Sequence, residues 1–276
     1  MKNADVRSSL LRYVSIENRH SICDVIFFYG TIESTQKTAI ILAESNLKLE
    51  KALIVANEQS LGVGRSGKSW ISPFGGIWFS LIIRPKIESC MASFITFVAS
   101  LSVCDAIRYA TGLDSKIKWP NDIVINSKKV SGILTSIGVE NTKLKYVVIG
   151  VGINSNLDNK SLNHINKSIA SDYEITSLKR ELSGKWIDSG SVILNILQKI
   201  DNYISNLELG ELQFLDKWKT RCETINKHVR VLHKDKSQYE GLALDVASDG
   251  SLIVKIANGE IIQVFDNEVT VRVLAI

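Results

Sequence analysis

No C-x-x-C pair occurs in this sequence: Cys23, Cys90, Cys104 and Cys222 lie far apart. That spacing points away from a zinc ribbon or a redox pair and leads us to expect free thiols in a reducing compartment, the cytoplasm. His20, His164, His228 and His233 are equally scattered, so the sequence offers no metal site built from histidine, and metal ligands stay unknown at this stage. The opening residues, MKNADVRSS, lack an apolar signal core. The most apolar stretch, 91–109, carries Asp105 and Arg108 and falls short of the ~20 clean residues of a membrane span, so it is expected to be a buried helix. Formal net charge is only +4, too small an excess to imply nucleic-acid binding by itself. Neither a membrane nor a nucleic acid is therefore expected as a partner. Internal repeats and low-complexity linkers are not evident either.

A chain of 276 residues, 45% hydrophobic and 22% charged, can bury one sizeable core and carry a small satellite domain. Apolar patterning predicts a short helix over 6–14 and a loop, then strands at 25–29, 53–56 and 77–83. Ser34 and Thr35 are placed to cap a helix over 36–45, because hydroxyls satisfy the free amides of a first turn. After the buried helix near 91–111, strands are predicted at 116–119, 122–125, 129–139 and 145–153, spaced so closely that hairpins are favoured over parallel crossovers. The segment 178–222 reads as helical. From His228 the pattern turns to short alternating strands, with Asp249-Gly250 and Asn258-Gly259 where tight turns are needed. The expected fold is α+β: a mixed β-sheet with helices on one side over 1–227, and a small β-barrel over 228–276.

Residues 62–70 read GVGRSGKSW, and Gly62, Gly67, Lys68 and Ser69 satisfy the P-loop pattern G-x-x-x-x-G-K-[ST]. That pattern cradles phosphate only between a strand and a helix, whose amides and dipole do the binding. Here Ser69 is followed by Trp70-Ile71-Ser72-Pro73-Phe74-Gly75-Gly76, which cannot carry the helix. The strand predicted at 53–56 is separated from Gly62 by 57–61, so the loop is not expected to spring from a strand end. We read the match as a coincidence of letters.

Three other groupings fall at strand ends or loops: Gly62-Val63-Gly64-Arg65, Lys118-Trp119-Pro120-Asn121-Asp122 and Lys129-Val130-Ser131-Gly132. Glycines let the backbone approach a ligand, Arg65 offers a planar fork for phosphate or carboxylate, and Lys129 supplies a point charge. Taken singly each has a structural reading, since lysines beside a turn are usually solvated and Trp119 suits a core.

Together and in this order they resemble the catalytic domain of biotin protein ligases. That family shows Ser-Thr-Asn near the first helix, a glutamine before Gly-Arg-Gly-Arg-x-Gly-Arg-x-Trp, then Lys-Trp-Pro-Asn-Asp, Lys-x-x-Gly and Gly-x-Gly-x-Asn. This chain carries Ser34-Thr35-Gln36, Gln59, the loop ending in Trp70, residues 118–122 and 129–132, and Gly150-Val151-Gly152-Ile153-Asn154. Gln36, Val63 and Lys68 depart from the pattern.

The resemblance implies a class II synthetase-like catalytic domain followed by an SH3-like barrel, in the single-function type without an N-terminal DNA-binding domain. It implies an ATP-dependent enzyme that makes biotinyl-5′-AMP with Mg2+ and transfers biotin to a lysine of a biotin carboxyl carrier domain, as a homodimer. Ser34, Thr35, Gln36 and Gln59 would then hold the biotin head. Val63, Gly64, Arg65, Lys129 and Gly132 would lie along its tail. Trp70, Lys118, Asn121 and Asn154 would lie on the nucleotide side with Arg65 and Lys129, the two catalytic charges. A lipoate or octanoate ligase of the same superfamily is the nearest alternative; a ligand-sensing regulator and an inactive binding protein are further ones.

Overall fold

Alternation at two-residue spacing decides which helices cover which face of the main sheet. The computed structural model describes residues 5–14, 23–141, 143–168, 174–233, 235, 237–265 and 269–274. In chain order the first part carries α1 (Val6–Val14), β1 (Val25–Ile32), α2 (Thr35–Ser45), β2 (Ala52–Gln59), β3 (Ile77–Ile83), α3 (Phe94–Thr111), β4 (Lys116–Lys118), β5 (Asp122–Ile125), β6 (Lys128–Glu140) and β7 (Lys143–Ile153). Then come α4 (Asn159–Ser168), α5 (Leu178–Glu181), α6 (Ser189–Glu208) and α7 (Phe214–Arg221). The loop expected after α1 lies outside the described residues.

The seven strands are ordered β1-β2-β3-β7-β6-β5-β4. Only β1 and β2 are parallel, joined by the crossover that carries α2; the other neighbours are antiparallel. Leu53, Val55, Phe79, Leu81, Ile149 and Val151 point into the main core with α3 and α6. Ile54, Ile82 and Val148 point the other way, against Ala39 and Ala43 of α2. The helical layer expected on one side is thus present, and α2 covers part of the opposite face. The far end of that face is covered by α4, whose Leu162 and Ile165 pack on Trp78.

Two expectations change. β2 runs past Ala56 to Gln59 because its ladder with β1 continues through Thr31 opposite Glu58 and Ile32 opposite Gln59. Only Ser60 and Leu61 then precede Gly62, so the glycine-rich loop does spring from a strand end. It still leads into no helix: Arg65–Gly67 form a single 3-10 turn with Ser66 at φ +54°. The segment 178–222 is three helices, interrupted where Ser183, Gly184 and Gly210 adopt positive φ. Its apolar stripe belongs to α6, which buries Val192, Ile196, Leu197, Ile200 and Tyr203.

The segment Ser89–Thr111 is long and apolar enough to cross a membrane, yet 78% of its apolar 18-residue stretch is buried inside the protein, as a core helix should be. The four cysteines are free; burial pushes the Cys23 thiol up to about 12 and those of Cys104 and Cys222 up to about 11, which leaves them inert.

The small barrel consists of β8 (His228–His233), β9 (Gln238–Val246), β10 (Leu252–Ile256), β11 (Ile261–Val264) and β12 (Val269–Val273), ordered β11-β10-β9-β8-β12 and antiparallel throughout. Gly250 and Gly259 both sit at φ +89° in the turns expected of them. The barrel is fastened to the larger sheet through Trp119. Its Nε1 donates to Gly250 O at 3.1 Å, and its backbone N donates to Thr224 Oγ1 at 3.0 Å.

Candidate functional site

Between α2 and α4 the sheet face is left uncovered by helices, and there its side chains are small. Ser80 lies opposite Gly150 and Gly150 opposite Leu134; one step along, Gly152 lies opposite Gly132. Residues directly opposite share a face, so these form the floor of a cavity of about 570 Å³. The two β7 glycines are required by what lies on them. A Cβ on Gly150 would stand 2.3 Å from Gln36 Oε1, and one on Gly152 would stand 2.5 Å from Trp70 Nε1.

One end of the cavity is polar and uncharged. Thr35 N and Oγ1 both donate to Gln59 Oε1, at 2.8 and 3.1 Å, and Gln59 Nε2 donates to Ser72 Oγ at 2.7 Å. Ser80 Oγ stands 2.9 Å from Thr35 Oγ1 and 3.0 Å from Gln36 Oε1. The Gln36 amide is committed to the sheet, with Nε2 2.9 Å from Ser136 Oγ, 3.3 Å from Val148 O and 3.4 Å from Leu134 O. This network runs from the sheet to the return of the glycine-rich loop, which is itself closed by Gly64 N donating to Lys68 O and Trp70 N donating to Gly62 O.

The other end is cationic. Arg65, Lys68, Lys118, Lys129 and Arg272 line the cavity, and Asp122 is the one carboxylate on its wall among the described residues. Lys129 Nζ lies 2.8 Å from Asp122 Oδ1 and 5.0 Å from the centre of the Trp70 ring. Arg65 Nη1 donates to Asn121 Oδ1 at 2.9 Å, while Asn121 Nδ2 donates to Ile133 O at 2.6 Å. Burial drives the Lys118 ammonium down from 10.5 to about 8, with Lys129 and Lys68 pushing the same way and Asp122 and Glu223 opposing. Trp70 Nε1 is buried without a hydrogen-bond partner, an arrangement that costs about 1–3 kcal/mol until an acceptor arrives.

The structure brings Thr35, Gln36, Gln59, Val63, Gly64, Arg65, Trp70, Lys118, Asn121, Lys129 and Gly132 onto one cavity wall. Ser34 and Asn154 stand outside it. Ser34 caps α2 by accepting from Lys37 N, and Asn154 Nδ2 donates to Thr176 O at 3.0 Å. Sequence reasoning missed Asp122, Ser80 and the lining by Val269, Thr270, Val271 and Arg272 of β12. The first was in plain view at the end of Lys-Trp-Pro-Asn-Asp. Ser80 and β12 carry no local signal, because only tertiary packing brings them to the cavity. Among the described residues no three His, Cys, Asp or Glu side chains converge as metal ligands do.

The profile of the biotin/lipoate A/B protein ligase family matches residues 29–154, and that of the biotin protein ligase C-terminal domain matches residues 224–272. The chain is 36% identical over 236 residues to the bifunctional ligase/repressor BirA of Bacillus spizizenii, covering 85% of this chain and 70% of that one. It is 37% identical over 105 residues to the biotin acetyl-CoA-carboxylase ligase of Paracoccus denitrificans, covering 37% of this chain and 44% of that one. Its fold is similar to that of the biotin protein ligase from Aquifex aeolicus solved with biotin and ATP, with a TM-score of 0.74 at 25% identity over 91% of this chain and 100% of that one.

Proposed function

This chain belongs to the biotin/lipoate A/B protein ligase family, and from that premise we propose that it activates biotin with ATP and transfers it to a lysine of a biotin carboxyl carrier domain. The observation that carries the reading is the two-ended cavity. Its neutral end, Thr35, Gln59 and Ser80, suits an uncharged hydrogen-bonding head such as a ureido group. Its cationic end suits a carboxylate meeting phosphates. Lipoate or octanoate would bring a dithiolane or an alkyl tail to the neutral end and leave its polar groups facing apolar atoms, which disfavours them.

In the first step a biotin carboxylate oxygen bonds to the α-phosphorus of ATP and pyrophosphate leaves. Two anions must approach, and Arg65 and Lys129 neutralise that repulsion and the charge growing on the phosphoryl oxygens. Magnesium enters this scheme with the nucleotide as Mg-ATP, in keeping with a wall on which Asp122 is the one carboxylate among the described residues. In the second step the carrier amine bonds to the acyl carbon, AMP leaves with the bonding pair, and the amine gives up its proton. No nucleophile on the enzyme is needed.

Three further assignments belong to the same reading: a homodimer formed at the edge of the catalytic sheet, a cytosolic setting, and no part for nucleic acid. Gel filtration and titration with duplex DNA at low salt test the first and last. The main test is pyrophosphate release with Mg-ATP and biotin, lipoate or octanoate in turn. Release with biotin alone is expected, whereas release with lipoate or octanoate would transfer the protein to the sister activity.

A further inference from the structure

Lys129 is held from an unexpected direction. On one side it pairs within the sheet, opposite Val124 of β5. On the other its backbone N donates to Glu174 O, and its carbonyl accepts from Thr176 N, both at 2.9 Å. The segment 174–176 thus forms a parallel bridge to Lys129 through Ile175 while belonging to no strand of the sheet.

A segment paired on one edge only needs another partner, and Asn166 of α4 is that partner. Ile175 N donates to Asn166 Oδ1 at 2.8 Å, and Asn166 Nδ2 donates to Ile175 O at 3.1 Å. A carboxamide presents one acceptor and one donor in the plane a peptide group uses, so a single side chain replaces the neighbouring strand. Ile165, adjacent on α4, is buried with Ile175 beside Trp70 and Trp78. The same small unit therefore supports the Lys129 backbone and the indole ring over which its ammonium lies.

We propose that Asn166 is the positioning residue for Lys129: its amide pairs with both polar groups of Ile175 and fixes the segment that grips the Lys129 backbone, which sets Nζ between Asp122 and Trp70. This rests on the ligase reading only for its effect on turnover. The geometric part stands apart from it.

Competitive acylation of lysines, read by mass spectrometry, tests the geometry without turnover. Lys51 is the internal reference, since it is ion-paired with Asp201 and its side chain is 20% exposed, as is that of Lys129. In Asn166→Ala the labelling of Lys129 relative to Lys51 should rise roughly fivefold, the size of a lost surface-type ion pair. Asn166→Asp keeps the acceptor and loses the donor, and should raise the ratio by less. An unchanged ratio, or equal rises at both lysines, would overturn the proposal. Biotin-dependent pyrophosphate release should fall roughly tenfold in Asn166→Ala and change little when the same substitution is made on Lys129→Ala; equal losses in both backgrounds would mean a general structural role and overturn it too. A parent protein that releases no pyrophosphate with biotin would strike the ligase reading alone, because the labelling ratio still reports where Lys129 stands.

Discussion

Arg65 and Lys118 show how differently two cations on one cavity wall behave. Arg65 is held by the Asn121 carboxamide across the mouth of the loop, and a charge-assisted bond of that kind is worth about 1.5–3 kcal/mol. If Arg65 spans to the acyl-adenylate in the same way, Arg65→Ala should speed its escape roughly ten- to a hundredfold. Trapping released biotinyl-AMP in a chase experiment measures this, and parental retention would refute the role.

Lys118 has its pKa lowered, so below about pH 8 the folded state carries the whole cost of a buried ammonium. That cost is relieved as pH climbs from about 8 toward 10.5, the range in which the folded protein has lost a proton that the unfolded chain retains. Lys118 thus makes stability rise with pH across that window. If Lys118 meets the nucleotide phosphates, ATP affinity should move the opposite way, because that charge disappears. ATP binding by calorimetry should weaken on passing pH 8 in the parent and show no such step in Lys118→Met; the same step in both proteins would reject the assignment.

At the scale of the element, β7 is where sequence and structure agree most usefully. The strand over 145–153 was legible, and within it Gly150-Val151-Gly152 alternates glycine on the cavity face with a buried valine on the core face, a use of the glycines that the sequence carries only as part of the Gly-x-Gly-x-Asn resemblance. The length of β2 was not visible, because Glu58 and Gln59 are paired through backbone groups that side-chain patterning does not report. Nor was α4 foreseen, since in NKSLNHINKS only Leu162 and Ile165 are buried. The floor itself can be tested. Gly150→Ala drives a methyl into Gln36 Oε1 and should cost about 1–3 kcal/mol by overpacking, with weaker acid binding. Adding Gln36→Ala should recover much of the stability, as expected for residues in contact. Denaturation midpoints of the two single variants and the double variant check it; strictly additive losses would show that Gln36 does not lie on Gly150.

For the whole molecule, the division into a mixed sheet and a terminal barrel was legible from apolar periodicity and from the Asp-Gly and Asn-Gly turns. That the barrel helps close over ATP and carrier is an expectation with no residue behind it; which of its residues reach the cavity could not be read from the sequence. Trp119, beside β4, is tied to Gly250 of the barrel, and β12 lines the same cavity as the glycine-rich loop. Such closure comes from contacts far apart in sequence, to which no local pattern refers. The P-loop letters illustrate the converse: a perfect local match whose helix never forms.

In the proposed reading the neutral end of the cavity selects a ureido acid and the cationic end activates it. Incubating the protein with Mg-ATP and an equimolar mixture of biotin, lipoate and octanoate, then weighing the bound acyl-adenylate, tests both halves at once. Biotinyl-AMP is the expected mass; lipoyl-AMP or octanoyl-AMP as the dominant species, or no adenylate at all, would refute the assignment of the two ends.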